Sequence, residues 1–485
     1  MSPAEKRYFK RHYGSESNTL THLYDAINLQ KEYDEESIKA QFTGKVAINL
    51  KVYKFQLEQL LLKSLSSHRH FSTLGSKIRL GIEHFEILTE KNLLKMAEKQ
   101  LAKTKQLCLN NEQYVYLPAI LEKESYLNQI KSNDLHIKEL KIHEKAEYYS
   151  KKMIAHYEQA ARLDALIDLY LKKTTSISQA KLDYFLEKLN IIPRRNGSVP
   201  ESDQLLQNIF IAIQKYLLGD YKIAFIGLEE VVAYFKQHKK QIENFPHYYL
   251  IALRCLIDGA FHLEKFDEAQ KYIQEGIQFT KKNEPYYNRI PLFASYQIRL
   301  RIKNNQLPSF MEEDAPAFYS FIEELELEHE LHTQLFYGWM AIAHLLMEEN
   351  EAAQSYCQKI QSFEDGENTF VKALGRMLEF VMYFETPDFQ KMSSFLTRIK
   401  SEKVFKSGDE NKGFYKAFLK FADRLATNPR TAKQLATDLL QQLAESNLSP
   451  LLQLFRAYKL DLWLQSIVDE ASFGSYFNAT ELQAN

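Results

Sequence analysis

Apolar residues recur three and four positions apart along most of the chain, the period of an amphipathic helix. In the stretch "LEKFDEAQKYIQEGI" (Leu263 to Ile277), the stripe Leu253, Leu256, Ala260 and Leu263 runs into a turn at "EKFDE". A second stripe, Ala269, Ile273 and Ile277, follows it. This spacing predicts two helices joined by a short turn. The pattern returns 45 residues earlier in "LGDYKIAFIGLEEVV", with Ala224 in the place of Ala269 and Leu228 and Val231 following. It returns again 84 residues later in "MEENEAAQSYCQKI", with Ala353 in that place, which leaves room for one more unit near Pro308 to Leu325. Further pairs are predicted about "FETPDFQKMSSFLTRI" and "ATNPRTAKQLATDLLQQL", with prolines 246, 285, 387 and 429 in the gaps between pairs. Sustained period-two alternation is missing, the whole chain holds only 15 Gly and 12 Pro, and Pro118 is the sole proline between Ala4 and Asn190. Few breakers over such lengths imply an all-α fold.

The helical pairs resemble the tetratricopeptide repeat (TPR). Ala269 supplies its small residue in the second helix, Ile273 the apolar residue four later, and Gly276 the next small one. Small residues there let two antiparallel helices approach closely. The spacing of about 40 residues exceeds the 34 of the standard repeat, and Ile257 stands where the family has glycine in its first helix. The resemblance implies a TPR-like α-solenoid over residues 204–485, acting as a non-enzymatic scaffold for a protein or peptide partner, with no cofactor. It is also similar in kind to bacterial proteins of about this length that join a basic, aromatic opening to an all-helical remainder, which implies no activity.

On the first helix of the opening unit, Arg254, Asp258 and His262 occupy positions that in peptide-binding members of the family face the concave surface. The family's carboxylate clamp uses Lys and Asn there, and neighbouring units carry Ile209, Ile213, Gly338 and Ile342 instead. On the next first helix, Arg289, Tyr296, Arg299 and Arg301 form a basic and aromatic patch suited to an acidic or carboxylate-bearing partner. The alternative for both sets is a solvated stripe, the arginines pairing with the acidic run "EELELEHE".

Upstream, "NIIPRRNGSVPESD" (Asn190 to Asp203) is the richest turn cluster and sets a domain boundary. Residues 76–190 form a domain of long helices, in which 76–131 carry further stripes, including Leu93, Met96, Ala97, Leu101 and Leu107. From Asp134 to Lys173, Ile142, Ala146, Tyr149, Met153, His156, Ala160, Leu163, Ile167 and Tyr170 alternate four and three apart as a heptad seam. One long helix, open to dimerisation through 134–173, and two helices broken near Ser150 are both consistent with it. Residues 1–70 open with a capping box at Ser2, Pro3 and Glu5, followed by a short helix capped by Asp34 and a longer one opened by Asn49. This unit is either a cap on the solenoid, with Leu57, Leu61 and Leu65 buried against helices after residue 76, or a helix-turn-helix domain of a transcription regulator, binding DNA through Lys51, Lys54 and Lys63. The acidic "DEE" (Asp34 to Glu36) would repel phosphate and favours the cap.

Composition narrows the chemistry. With 62 Lys plus Arg against 63 Asp plus Glu, the chain is no polybasic coat, so any charged site must be local. Cys108, Cys255 and Cys357 are widely separated and odd in number, so neither a disulfide framework nor a zinc site is expected, and a reducing cytoplasm fits. The charged opening lacks the apolar core of a signal peptide, and runs such as "WMAIAHLLM" are too short to span a membrane. The N-x-S/T matches at Asn196, Asn447 and Asn478 carry no glycosylation meaning in that compartment. Glu326 and His329 have an i, i+3 spacing known from di-iron bundles, but a second such motif is missing, and "EHELH" is not HExxH. "HRH" (His68 to His70) lacks acidic or cysteine companions, and "FTGKV" lacks a glycine-rich phosphate loop. In "EKRYFKR", Tyr8 and Phe9 are expected to pack while the lysines and arginines stay hydrated.

Overall fold

The computed structural model describes residues 3–13, 18–30, 33–42, 45–69, 73–131, 136–173, 184, 187, 201–327, 331–362, 369–386, 389–401, 412–445, 455–456 and 458–477. Ser2, His70, Glu328, His329, Pro387, the turn-rich 190–200 and Asn196, Asn447 and Asn478 lie outside them. Among the described residues every regular element is a helix, and none is long and apolar enough to cross a membrane. The chain divides into two compact units, Met1–Tyr157 and Glu158–Asn485.

The first unit holds two separate apolar clusters. Phe9 and Tyr13 of helix Pro3–Tyr13, and Leu23 and Tyr24 of helix Asn18–Asn28, pack with Leu50 and Leu57 of helix Leu50–Arg69. Phe9 is fully buried while Lys10 and Arg11 are exposed, as the snorkelling argument expects. Asp34 caps the short helix Glu35–Ala40 by accepting from Glu36 N at 3.0 Å and Ser37 N at 3.2 Å. Leu57 and Leu61 lie in this first cluster, so they cover the first two helices and not the helices after residue 76.

In the second cluster, helices Leu74–Glu90 and Leu94–Asn110 pair around Ile78, Phe85, Ala97, Leu101 and Cys108, and Leu117, Ile120 and Leu127 extend the pairing. The face that turns inward is Ala97, Leu101, Thr104 and Cys108, while Leu93 and Met96 are exposed. The helix begins at Leu94, and Met96 stands about 100° around it from Ala97, off the inward face. Helix His136–Lys173 is continuous, with no break near Ser150. Its seam is used within the chain: Tyr149 and Met153 pack on the second cluster, whereas Leu163, Ile167 and Tyr170 belong to the core of the second unit.

The second unit is a succession of helical hairpins. Glu201–Leu217 pairs with Tyr221–Gln237, Pro246–His262 with Phe266–Lys282, and Ile290–Lys303 with an irregular arm, Leu307–Ser309, Phe310–Asp314 and Ala315–Glu324. Leu331–Leu346 then pairs with Asn350–Gln361, Thr369–Glu385 with Phe389–Ser401, and Lys412–Thr427 with Ala432–Glu445. Helix Leu460–Val468 packs on the last of these.

The turn inside the pairs repeats. Gly219 (φ 85), Glu264 (φ 57), Asn305 (φ 53) and Glu348 (φ 60) each take a left-handed conformation two residues before the second arm starts. At Glu264 this lets Lys265 N donate to Ala260 O at 2.9 Å, satisfying a helix-end carbonyl as in a Schellman closure. Ala224, Ala269 and Ala353 are each the fourth residue of their helix, and all are buried. A Cβ at Gly259 would make ordinary contact, at 3.4 Å, with Phe225 of the preceding hairpin, whereas Gly276 lies against the Phe293 ring of the following one. A Cβ on Gly276 would overlap that ring, which is itself 1% exposed and has nowhere to move. Gly276→Ala is therefore expected to cost about 1–3 kcal/mol, read as a lower urea midpoint with an unchanged slope. A midpoint within error of wild type would mean that Phe293 repacks freely.

One described proline differs from expectation. Pro246 and Pro285 do precede first helices, but Pro429 starts a short 3₁₀ turn inside the sixth pair, where its fixed φ suits the first position of a tight turn.

The C-terminal segment returns to earlier hairpins. Tyr458 stacks on Trp339 (4.7 Å between centroids) and donates to Leu335 O at 2.7 Å. Trp463 Nε1 donates to Glu385 at 3.0 Å, and Phe473 N to the same carboxyl at 3.3 Å. Burial pushes the Glu385 pKa above its ordinary 4.5. The folded chain then holds this proton more tightly than the unfolded chain, so the contribution favours folding at low pH and is lost as pH rises through the folded value. Relative to wild type, Glu385→Gln should therefore gain stability between about pH 5 and 7. Melting temperatures of both proteins across that range test it, and a pH-independent difference would contradict it.

Candidate functional site

Helix Pro246–His262 carries Arg254, Asp258 and His262 four apart on one face. Three other helices bring tyrosines to that face: Tyr170 from His136–Lys173, Tyr216 from Glu201–Leu217 and Tyr296 from Ile290–Lys303. The Tyr170 hydroxyl donates to Asp258 Oδ2, and the Arg254 guanidinium sits over the Tyr170 ring at 5.5 Å. His262 stacks on Tyr221 with centroids 4.1 Å apart and planes within 3°. Burial, and secondarily the Asp258 carboxylate, push the Tyr170 and Tyr296 hydroxyls above their ordinary pKa. These tyrosines stay protonated and act as donors.

Arg299 joins the cluster from the next first helix. Its nearest described carboxylate is Asp258 Oδ1, at 3.9 Å, too long for a hydrogen bond. Its guanidinium lies over three rings, Phe261 at 4.6 Å, Tyr296 at 5.3 Å and Trp339 at 5.5 Å. Beside it opens a cavity of about 230 Å³. Asp258, Phe261 and His262 line it from one helix, Arg299, Ile302 and Lys303 from the next, and Trp339, Lys459 and Phe477 from the fourth hairpin and the C-terminal segment. Burial pushes the Lys303 and Lys459 pKa values below the ordinary 10.5; the Lys459 and Arg299 charges lower Lys303 further and the Arg299 charge lowers Lys459, while Glu264 and Asp461 oppose these shifts. The cavity lining thus combines three basic side chains with the Asp258 carboxylate and the rings of Phe261, His262, Trp339 and Phe477.

The predicted site residues separate into two groups. Asp258, His262 and Arg299 reach the cavity, while Arg254 and the buried Tyr296 support it from behind. Arg289 and Arg301 go elsewhere. Arg289 donates to His332 Nε2, and burial together with Arg289 pushes that imidazole down to about 3, so it stays neutral and accepts. Arg301 meets Asp314 at 3.3 Å and Gln306 at 2.7 Å. For Arg299 and Arg301 the acidic partners are Asp258 and Asp314, not the described part of the run "EELELEHE". Sequence reading missed Tyr170, Lys303, Trp339, Lys459 and Phe477, which come from separate helices and share no local motif.

The remaining candidates have little geometry around them. Cys108, Cys255 and Cys357 are free and buried, and burial alone raises the Cys108 thiol to about 12, where it is unreactive. Among the described residues no group of three or more His, Cys, Asp or Glu is placed to hold a metal ion. Lys54 bonds Glu35 and Tyr33, each at 2.8 Å, and Lys54, Lys39 and Tyr33 hold the Glu35 carboxyl down to about 2. The exposed face of helix Leu50–Arg69 is mixed, with Val52, Phe55 and Leu62 beside Lys51 and Lys63.

No family model, curated protein or solved structure matches this chain.

Proposed function

We propose that the chain is a non-enzymatic interaction protein whose TPR-like hairpins stack as an α-solenoid and present a surface to a protein or peptide partner with acidic groups. The observation that carries this reading is the recurrence of a left-handed turn residue in the first four hairpins and of a buried alanine at the fourth position of the second helix in the first, second and fourth. Repeating units of this kind bury a continuous core only by stacking, and their outer faces are free to vary for binding. A reducing compartment such as the cytoplasm belongs to the reading, because the three thiols are free. Fold alone does not assign function, so the support lies in the architecture together with the cationic cavity among the hairpins.

The test is affinity capture of the full chain from its native cell with cross-linking mass spectrometry. A protein retained in stoichiometric amount and cross-linked to residues 201–445 is the expected result. Recovery of no protein above a control bait would sink the scaffold. The regulator reading has less behind it, since Lys54 is committed to Glu35 and the neighbouring exposed face carries apolar residues. Accordingly, mixed genomic duplexes at low salt should show no mobility shift at micromolar protein. Micromolar binding that falls steeply with salt and vanishes on changing Lys51, Lys54 and Lys63 to Ala would reverse the ranking.

A further inference from the structure

The second arm of the first hairpin, Tyr221–Gln237, differs from its counterparts on its exposed face. Ile223 and Ile226 are 56% and 50% exposed there. With Ala224, Ala269 and Ala353 set in register, the second hairpin has Glu268 and Lys271 at these two positions, and the fourth has Ala352 and Ser355. Of the three arms only the first carries large apolar side chains on this face. The patch continues across the hairpin: a Cβ on Gly227 would lie 3.5 Å from the Ala212 Cβ, so the two arms run side by side at this level, and Ile211 next to that contact is 43% exposed. Charge is ordered about its centre. Lys222 stands four residues before Ile226 and Glu230 four after it, so all three share one row of the helix, and both charged side chains are exposed.

A helix with a cation and an anion equally far to either side of an apolar residue is complementary to its own antiparallel copy. A two-fold axis at Ile226 sets Ile226 against Ile226. At a rise of about 1.5 Å per residue, Lys222 lies about 6 Å along the helix from that axis, where it meets Glu230 of the second copy. Symmetry forms this pair twice, as an isologous contact requires. A parallel copy would instead set Lys222 against Lys222 and Glu230 against Glu230.

We propose that the chain self-associates through this face as a two-fold dimer, its Tyr221–Gln237 helices antiparallel about Ile226, with Ile211 and Ile223 widening the apolar centre and Lys222–Glu230 pairs on both sides of it. One face of one hairpin covers less than the roughly 1,600 Å² of a standard interface, so the dimer is of micromolar strength. The proposal concerns a second copy of this chain and not a foreign partner, so it stands or falls separately from the scaffold reading.

Sedimentation velocity of the full chain between about 1 and 100 µM is expected to show monomer and dimer in equilibrium, with Kd on the order of 10 µM. Ile226→Glu places two carboxylates on the axis and should leave only monomer over that range. Lys222→Glu and Glu230→Lys each turn two attractive pairs into two repulsive ones, so each should weaken association at least about tenfold. The variant carrying both changes restores the pairs with their signs exchanged, and its Kd should return to within about threefold of wild type. All of these side chains are exposed, and circular dichroism checks that each variant keeps its helical content. The proposal is overturned if the chain is monomeric at about 100 µM, or if a dimer survives Ile226→Glu, which would place the contact on another surface. It is equally overturned if the double charge exchange associates no better than the two single variants, because only the antiparallel register brings Lys222 to Glu230.

Discussion

Trp463→Ala should lower the stability of the second unit by about 3–5 kcal/mol, the range for emptying a buried aromatic site. The side chain is 0% exposed. Phe380, Phe384 and Phe421 surround it edge-on, with centroids 6.3, 5.7 and 6.1 Å away and planes at 85°, 82° and 86°. Edge-to-face contacts of this kind add to area burial, and they come from two separate hairpins, so no single neighbour can collapse into the space. The variant also takes a donor from Glu385, which leaves a half-buried carboxyl with the Phe473 N–H and fewer partners. Urea unfolding followed by circular dichroism measures the effect, and Trp463→Phe separates its parts. The Phe variant keeps most of the apolar volume and loses only the N–H, so it should recover more than half of the loss. A loss below about 1 kcal/mol for the alanine variant would mean that helix Leu460–Val468 is not integral to this core.

The difference between what the sequence discloses and what it conceals follows from the range of each interaction. Helical stripes, the Asp34 cap and the turn before Phe266 are set by residues within about five positions, so they are legible locally. The position of Ala224, Ala269 and Ala353 is legible too, because each repeats its own surroundings. Errors arise where one residue of offset matters: Met96 fits a loose stripe beside Ala97, yet only Ala97 faces the partner helix. The heptad seam was similarly readable as a pattern but not as to its partner, since Leu163 and Tyr170 meet helices of their own chain. The cavity is the least legible feature. Tyr170 and Asp258 are 88 positions apart, and Lys459 arrives on a C-terminal segment that turns back past its neighbours. A repeat period predicts contacts between adjacent units, and it carries no information about a segment that returns to distant ones.

Loss of the Glu379 carboxylate should be strongly destabilising. Its side chain is 4% exposed and lies between hairpins, where Arg376 approaches at 3.2 Å, Arg398 at 3.4 Å, the Tyr383 hydroxyl at 3.1 Å and Gln361 Nε2 at 2.5 Å. Arg398 is 56% exposed and recovers water when the carboxylate goes, so it contributes little. Arg376 is only 15% exposed, and its guanidinium would lose the buried carboxylate 3.2 Å away. Breaking a buried pair from one side typically costs about 3–5 kcal/mol, and Glu379→Ala is expected within that range, with little dependence on salt because the pair is shielded from screening. The cost should come mainly from the loss of charge pairing at Arg376 and not from the lost packing contacts of the glutamate. Glu379→Leu, which keeps much of the volume, should therefore be nearly as damaging as Glu379→Ala. Adding Arg376→Met to Glu379→Leu should then restore at least about 1 kcal/mol by removing a half-buried charge that has lost its closest carboxylate, a coupling of the kind double-mutant cycles resolve. If the double variant is instead as unstable as the sum of its two single changes, the network acts through packing, and the electrostatic account of this junction is wrong.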